Sequence, residues 1–396
     1  MRPGISLGNF GTLQNDSFTP VCLPVGQIYL QPDISTLRPM WREGTVWDAA
    51  TVIARTVNEA DEPHELCPKS GLEKLTRELE ATYDFQFLVG FEIEITFCRR
   101  FAEGFQPLDT NHAWGTFTDD QYATAFPLML TAVAALRDIG IRVQQLHSEA
   151  GAGQYEFVLP PLPLAKAVDT LVQAKQCIQQ VAATNNLRAT CHVLPFPGIG
   201  TAAHAHISLN STSLAAEELE KLSMSFMAGI LKHLEAICAF TMPEGVSYGR
   251  VADDHWTGGT WVAWGTQNRE TPIRKVEQQS RWEIRCLDGM ANMYLALGAI
   301  LSAGKLGLEA KMEMEMKDCT DNPSRLSETE LQNLGITRKL PTSFDEALAA
   351  LKRDETLEGA LSPNVVKHFV AMKKAEQEML ANMEEKERHV WLMERY

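Results

Sequence analysis

The segment GFEIEITF, residues 90–97, sets Glu92 and Glu94 two positions apart in a run that is otherwise apolar and β-branched. Strand side chains alternate faces, so both carboxylates fall on one side and Ile93 and Ile95 on the other. The same arithmetic recurs along the chain. In GQYEF, Gln154 and Glu156 share a face opposite Tyr155 and Phe157, with Glu149 just before the turn into this segment. In HAHIS, His204, His206 and Ser208 share a face, and in SRWEIRC so do Arg281, Glu283 and Arg285, opposite Trp282 and Ile284. One alternating strand with a polar side ordinarily means a sheet face in water. These faces, however, hold five Glu, two His, one Gln, one Ser and two Arg rather than a Lys/Thr/Ser mixture. Crowded carboxylates repel, burial sharpens the repulsion, and a divalent cation relieves it. Glutamate oxygens with a histidine nitrogen suit Mg²⁺ or Mn²⁺.

Arginines follow closely. SYGR supplies Arg250 and NRETPIR supplies Arg269 and Arg274. The planar guanidinium fork binds phosphate and carboxylate with two parallel hydrogen bonds. Acidic metal ligands ringed by arginines are the layout for phosphoryl transfer from a nucleotide, where positioning and charge stabilisation carry the chemistry. No GxxxxGK[ST] is present, which excludes a P-loop, and there is no kinase-type glycine loop with its lysine strand.

The elements that must position these residues alternate without a regular βα rhythm, which predicts an α+β fold. Strands are expected over 87–97, 141–149, 153–160, 189–197, 204–210, 260–266 and 280–286. Long helices are expected over 71–83, 118–140 (capped by Thr118 or Asp119 and stopped by Gly140), 163–185, 215–241 and 292–316, with a helical, charged tail from about 343 to 396. His147 and His192 read as structural, and the Met–Glu alternation at 312–316 as a helix end. At 396 residues, 45% hydrophobic and 22% charged, the composition is that of an ordinary globular protein. A net charge of −15 argues against nucleic acid and anionic membranes as partners. Eight scattered cysteines without a CxxC pair, an N-terminus without an apolar signal core, and no run of about 18 apolar residues lead to the expectation of a reduced, cytoplasmic protein.

Taken in order, GFEIEITF, SEAGAGQYEF, GIGTAAHAHISL, NRETPIR and RWEIRCLDGMANMYLALGAILSAG resemble the motif series of the glutamine synthetase family, from about residue 25 to the C-terminus. SYGRVADDHWTGGTWVAWGTQNRETPIR and the ending RHVWLMERY are similar to the fungal glutamine-synthetase-like, developmental-signal branch of that family. The resemblance implies an antiparallel catalytic domain forming a metal cleft over 63–396, preceded by a shortened β-grasp part over 1–62. It implies that Glu94, Glu149 and Glu156 ligate one Mg²⁺ or Mn²⁺, and Glu92, His204 and Glu283 a second, within a site holding two or three ions. His206, Ser208, Arg274 and Arg281 would meet ATP, and Arg269 the transferred phosphoryl. Arg250, Arg269 and Arg285, with the backbone of Gly200, would hold glutamate. The implied reaction makes γ-glutamyl phosphate and then a γ-glutamyl amide, in a homo-oligomeric ring.

Three departures sharpen these expectations. In YGRVADDHWTGG, residues 248–259, Trp256 stands where the family carries the glutamate that binds ammonium. An indole offers an apolar face that accepts organic cations, so an organic amine is the expected nucleophile, with Asp254 or His255 as candidate base. Ile199 occupies a position usually held by asparagine. Set against the family pattern, a shortened β-grasp part is expected, without its first strands and the acidic residue that reaches a neighbouring subunit. Glutamine synthetase proper, using ammonia, and a non-catalytic scaffold of the same fold are the alternatives.

Overall fold

A computed structural model describes residues 3–396 except 24, 44, 111–114, 199 and 277–279; Ile199 therefore lies outside the described residues. In chain order the strands and helices are β1 (Gly4–Ser6), β2 (Gln27–Pro32), β3 (Arg38–Arg42), β4 (Thr45–Thr51), β5 (Ala54–Val57), α1 (Pro68–Tyr83), β6 (Gln86–Phe101), β7 (Gly104–Pro107), α2 (Asp119–Thr124), α3 (Phe126–Asp138), β8 (Gln145–Ser148), β9 (Gln154–Val158), β10 (Leu162–Pro163), α4 (Leu164–Thr184), β11 (Arg188–Thr190), β12 (Ala205–Asn210), α5 (Ala216–Lys232), α6 (Leu234–Thr241), β13 (Trp264–Thr266), β14 (Ile273–Val276), β15 (Arg281–Ile284), α7 (Met293–Glu309), α8 (Glu328–Asn333), α9 (Phe344–Arg353), α10 (Glu355–Leu361), α11 (Pro363–Ala381) and α12 (Glu385–Arg395).

A ten-stranded sheet dominates. Its path runs β13-β14-β15-β12-β6-β9-β8, and β7, β10 and β11 also pair with β6. All pairings are antiparallel except β13 with β14. The expected α+β class with an antiparallel cleft is what the chain forms. Strand β6 runs through the middle, and its inward residues are large and apolar. Phe87, Phe91, Ile93, Ile95 and Phe97 are each at most 1% exposed. They meet Tyr155, Phe157, Ile207, Trp282 and Ile284 from the neighbouring strands and Val168, Leu171 and Ile178 of α4 in one core. Each such side chain contributes roughly 1.5–3 kcal/mol by leaving water. With the inner face thus occupied, the polar stripes face the cleft.

Helices α5 and α7 cross behind the sheet with their backbones in contact. A Cβ on Gly229 would stand 2.3 Å from the carbonyl oxygen of Ala303, and one on Gly307 would stand 2.2 Å from that of Ser225. A smaller sheet, β1-β2-β5, and the β3–β4 pair lie on the N-terminal side. Arg38 ties β3 to the helices, donating from Nε to Gln173 at 2.8 Å and from Nη1 to the carbonyls of Ile139 and Gly140 at 3.0 Å.

Two long helices expected from periodicity are each divided. The 118–140 segment breaks between α2 and α3, because Pro127 lacks the amide proton that a continuous helix would use. Thr118 does cap the first piece, in a reciprocal capping box with Gln121. The 215–241 segment bends by 78° between α5 and α6. His233 sits at the corner and bonds Asp354 through Nδ1 at 2.6 Å. The strands expected over 141–149 and 189–197 are shorter, at Gln145–Ser148 and Arg188–Thr190. No single described helix is long and apolar enough to cross a membrane.

Candidate active site

The register of the sheet assembles the site. On one side of β6, Glu94 lies directly opposite Glu156 of β9, and Glu156 opposite His147 of β8. On the other side, His206 of β12 lies opposite Glu283 of β15, and Glu283 opposite Arg274 of β14. Directly opposed residues have their Cβ atoms about 4.5–5.5 Å apart, close enough for side chains to meet. The turn that brings Glu149 beside Glu156 relies on Gly153, whose φ is +66°. A Cβ there would meet the carbonyl oxygen of Phe97 at 2.5 Å.

Two clusters of donor atoms result. Glu92, His204 and Glu283 form one; His147, Glu149 and Glu156 form the other, and in each the ligand atoms lie within 4.8 Å of one another. His204 Nδ1 stands 3.0 Å from Glu92, 3.6 Å from Glu94 and 3.6 Å from Glu283, so Glu94 sits between the clusters. The second oxygen of Glu94 accepts from the Ala202 amide at 2.8 Å and from Gln154 Nε2 at 2.9 Å. Gln154 also donates to the Gly200 carbonyl at 3.2 Å, joining this carboxylate cluster to the backbone before β12.

The electrostatics are those of a site built for cations. Burial raises the Glu94 carboxyl well above its ordinary range, and the charges of Glu149 and Glu156 push it further. Burial and Glu156 raise Glu149 to about 7. His147 is raised to about 9 by its bond to Glu156, which overcomes burial. Burial also acts to raise Glu92, but hydrogen bonds from His204 and His206 outweigh it and hold the carboxyl far below normal. Burial lowers His204, and the Arg285 charge adds to that. His204 Nε2 and His206 Nδ1 are buried without hydrogen-bond partners, as are the Nε atoms of Arg250, Arg274, Arg281 and Arg285. Buried carboxylates this close, beside orphaned donors, fit hard divalent cations and an anionic substrate.

The arginines surround Glu283, which is 1% exposed. Arg274 Nη1 donates to it at 2.8 Å, and Arg285 Nη1 bonds its other oxygen. Arg285 also donates to the carbonyl of Trp256 at 2.7 Å, fastening the 252–260 flap to the sheet. Arg250 is buried against Gly200 and donates to the carbonyl of Arg285 at 3.3 Å. Arg269 is exposed on the β13–β14 connection, and its carbonyl accepts from Gly258 at 3.1 Å. Ser208 and Arg281 face each other at the outer end of β12 and β15, away from the clusters along the strand.

Of the flap residues, Trp256 is 60% exposed and adopts a φ of +55°. This backbone region is rare for bulky residues. Glu270 holds the flap there, accepting from the amides of Asp254 at 3.1 Å and Trp256 at 2.8 Å. The two candidate bases are differently engaged. Asp254 accepts from Arg325 Nε at 2.8 Å and Asn322 at 2.7 Å, and His255 Nδ1 bonds the Asp253 carbonyl at 2.7 Å. Both bonds to Asp254 fall on its Oδ1.

Two residues with clear parts in this geometry were not picked out in the sequence. His147, expected to be structural, lies within the carboxylate cluster, with Nε2 3.1 Å from Glu156. Its signal was present, since positions 147 and 149 share a strand face just as 92 and 94 do. Glu270 carries no such signal, because its role depends on amides 14 and 16 positions away.

Comparison with known proteins agrees with this architecture. A family profile described as glutamine synthetase, catalytic domain, matches residues 65–396. The chain is 41% identical over 402 residues to protein FluG of Emericella nidulans, covering all of this chain but 45% of FluG, so it spans less than half of that relative's length. It is 29% identical over 371 residues to the γ-glutamylpolyamine synthetase GlnA3 of Streptomyces coelicolor (89% of this chain, 78% of GlnA3). It is 30% identical over 366 residues to a glutamine synthetase of Methanocaldococcus jannaschii (88% and 78%). In fold it is similar to a crystal structure described as a novel glutamine synthase homolog, at a TM-score of 0.82 and 24% identity over all of this chain and 91% of that one. A GmaS–ADP complex follows at a TM-score of 0.79 and 23% identity (95% and 87%). The chain belongs to the glutamine synthetase family, which binds ATP and divalent metals.

Proposed function

We propose that this chain is an ATP-dependent carboxylate–amine ligase that joins the γ-carboxylate of glutamate to an organic amine. The observation that carries the reading is the convergence of Glu92, Glu94, Glu149, Glu156, His204 and Glu283 on one sheet face beneath a flap that presents Trp256. In the first step the γ-carboxylate oxygen bonds the terminal phosphorus of ATP and ADP leaves. In the second the amine nitrogen bonds the acyl carbon, phosphate leaves, and the nitrogen gives up a proton to a base. Bound Mg²⁺ or Mn²⁺ would neutralise charge developing on the phosphoryl oxygens. The chain's own groups do the rest. Arg274 and Arg269, with His206, Ser208 and Arg281 along the nucleotide side, hold and orient the phosphates. Arg250 and Arg285, with the Gly200 backbone, hold glutamate. Burial of Arg250 and Arg285 strengthens the contacts those two make.

The amine preference follows from Trp256. A quaternary or alkylammonium group over an indole gains about 0.5–2 kcal/mol, whereas ammonium gains more from a carboxylate. The likeness to a γ-glutamylpolyamine synthetase supports an amine larger than ammonia. Assembly as a homo-oligomeric ring, a boundary between the N-terminal part and the catalytic domain near residue 62, and a cytoplasmic setting complete the proposal. The eight free cysteines are in keeping with that setting.

The test is phosphate release from ATP with Mg²⁺ or Mn²⁺ and glutamate, offering ammonia and a panel of mono- and polyamines, with products read by mass. Phosphate release that depends on an organic amine and yields a glutamyl-amide mass supports the reading. Trp256→Ala should then raise KM for that amine by about 2- to 30-fold with little change in kcat. Turnover with ammonia alone makes the protein a glutamine synthetase in the strict sense. No release with any amine, from folded protein that binds metal, makes it a non-catalytic relative.

A further inference from the structure

We infer that His147 is a direct ligand of the first metal site, and that this nitrogen donor makes the site prefer Mn²⁺ and later transition ions over Mg²⁺. The inference rests on the two-metal reading above but not on the identity of the amine.

The argument starts from register. Glu94, Glu156 and His147 occupy directly opposed positions on β6, β9 and β8. All three therefore project from the same face of the sheet, in one row. Glu149, two residues beyond His147, reaches the same space from the strand end. The donor atoms of His147, Glu149 and Glu156 lie within 4.8 Å of one another. An ion with bonds of about 2.0–2.2 Å spans donors up to roughly 4.4 Å apart, so this triangle closes around one ion with small side-chain adjustments.

The imidazole is also held in a ligating orientation. Nδ1 lies 3.3 Å from the Ser148 carbonyl and 3.5 Å from Glu149, so a proton on Nδ1 has acceptors there, and an ion that displaces the Nε2 proton would meet the Nε2 lone pair. Nε2 is the atom 3.1 Å from Glu156. A backbone carbonyl fixing the far nitrogen of a ligating histidine is the usual supporting arrangement. Glu94, by contrast, has one oxygen already engaged by the Ala202 amide and Gln154, leaving its other oxygen facing His204. The carboxylate supply to the first site is thus reduced and the imidazole completes it. Magnesium favours an all-oxygen octahedron with retained waters, whereas imidazole raises affinity along the series from Mn²⁺ to Cu²⁺.

The experiment is metal binding by calorimetry, with Mn²⁺ and Mg²⁺ as probes, on the full chain and on His147→Gln, alongside pulsed EPR of bound Mn²⁺. Wild-type protein should favour Mn²⁺, and His147→Gln should reduce the Mn²⁺-to-Mg²⁺ affinity ratio about 10- to 100-fold. In a His204→Gln background, which removes the imidazole of the other site, ¹⁴N modulation of the Mn²⁺ signal should persist and then disappear when His147→Gln is added. Equal loss of both metals in His147→Gln would mean that the residue acts only through charge or packing, and would overturn the inference. So would ¹⁴N modulation unchanged by His147→Gln. Wild-type protein that binds neither metal would overturn the two-metal reading itself.

Discussion

Glu283 shows how a single residue binds the site together. Removing its side chain would take away a proposed metal ligand and also leave Arg274 and Arg285 facing each other without their shared carboxylate. Breaking a buried pair by deleting one partner costs about 3–5 kcal/mol. Glu283→Ala therefore should lower stability as well as activity. Glu283→Gln keeps the hydrogen-bond geometry and should cost at least about 100-fold in metal-dependent turnover while the melting temperature changes little; normal turnover in that variant would remove Glu283 from the ligand set. A second residue governs acid stability. Burial, with the His389 charge beside it, lowers His192 to about 4. The unfolded chain then binds the proton more readily between pH 6.5 and 4. The contribution of His192 should be complete above about 6.5 and fall by about 3 kcal/mol as pH drops to 4. His192→Asn retains an acceptor for the Leu194 amide, which bonds His192 Nδ1 at 3.1 Å. Denaturant titrations at pH 7, 5.5 and 4.5 should show a flatter decline in that variant; an identical slope would assign the acid sensitivity elsewhere.

Among the elements, the strands were legible in the sequence and the flap was not. Period-2 alternation found β6, β9, β12 and β15 and put Glu92, Glu94, Glu156, His204 and Glu283 on the correct face, because a strand's apolar half must meet the core whatever its neighbours are. Alternation does not say which strands adjoin, so His147 could be placed on a face but not beside Glu156. Corners and clamps failed for the same reason. The α5–α6 bend is held by Asp354, 121 residues beyond His233. The flap is held by Glu270 through two backbone amides, a contact that periodicity cannot register. A hydrogen bond to a charged group contributes about 1.5–3 kcal/mol. Glu270→Ala should loosen residues 252–260, seen as faster proteolysis within the flap and a lower kcat at unchanged global melting temperature. An unaltered cleavage pattern would show that Arg285 and the Asp254–Arg325 pair suffice to hold it.

For the molecule as a whole, β6 is the strand on which the main sheet is hung. It joins β7, β9, β10, β11 and β12, so both edges of a 16-residue strand are covered along most of its length. Hydrogen exchange divides such a fold into units that open separately. Amides of Phe87 to Phe97 should exchange only through global unfolding, with free energies equal to that of the whole chain. Flap amides should exchange far sooner. Chelating the metals should speed exchange in the flap and in the 149–153 turn and leave β6 unaffected. Fast exchange in β6 after chelation would mean that the ions hold the sheet together. Because Glu92 and Glu94 lie two residues apart on this one strand, the spacing between their carboxylates is set by its pleat. On the proposed function, remodelling the flap would change the amine preference and leave these two carboxylates in place.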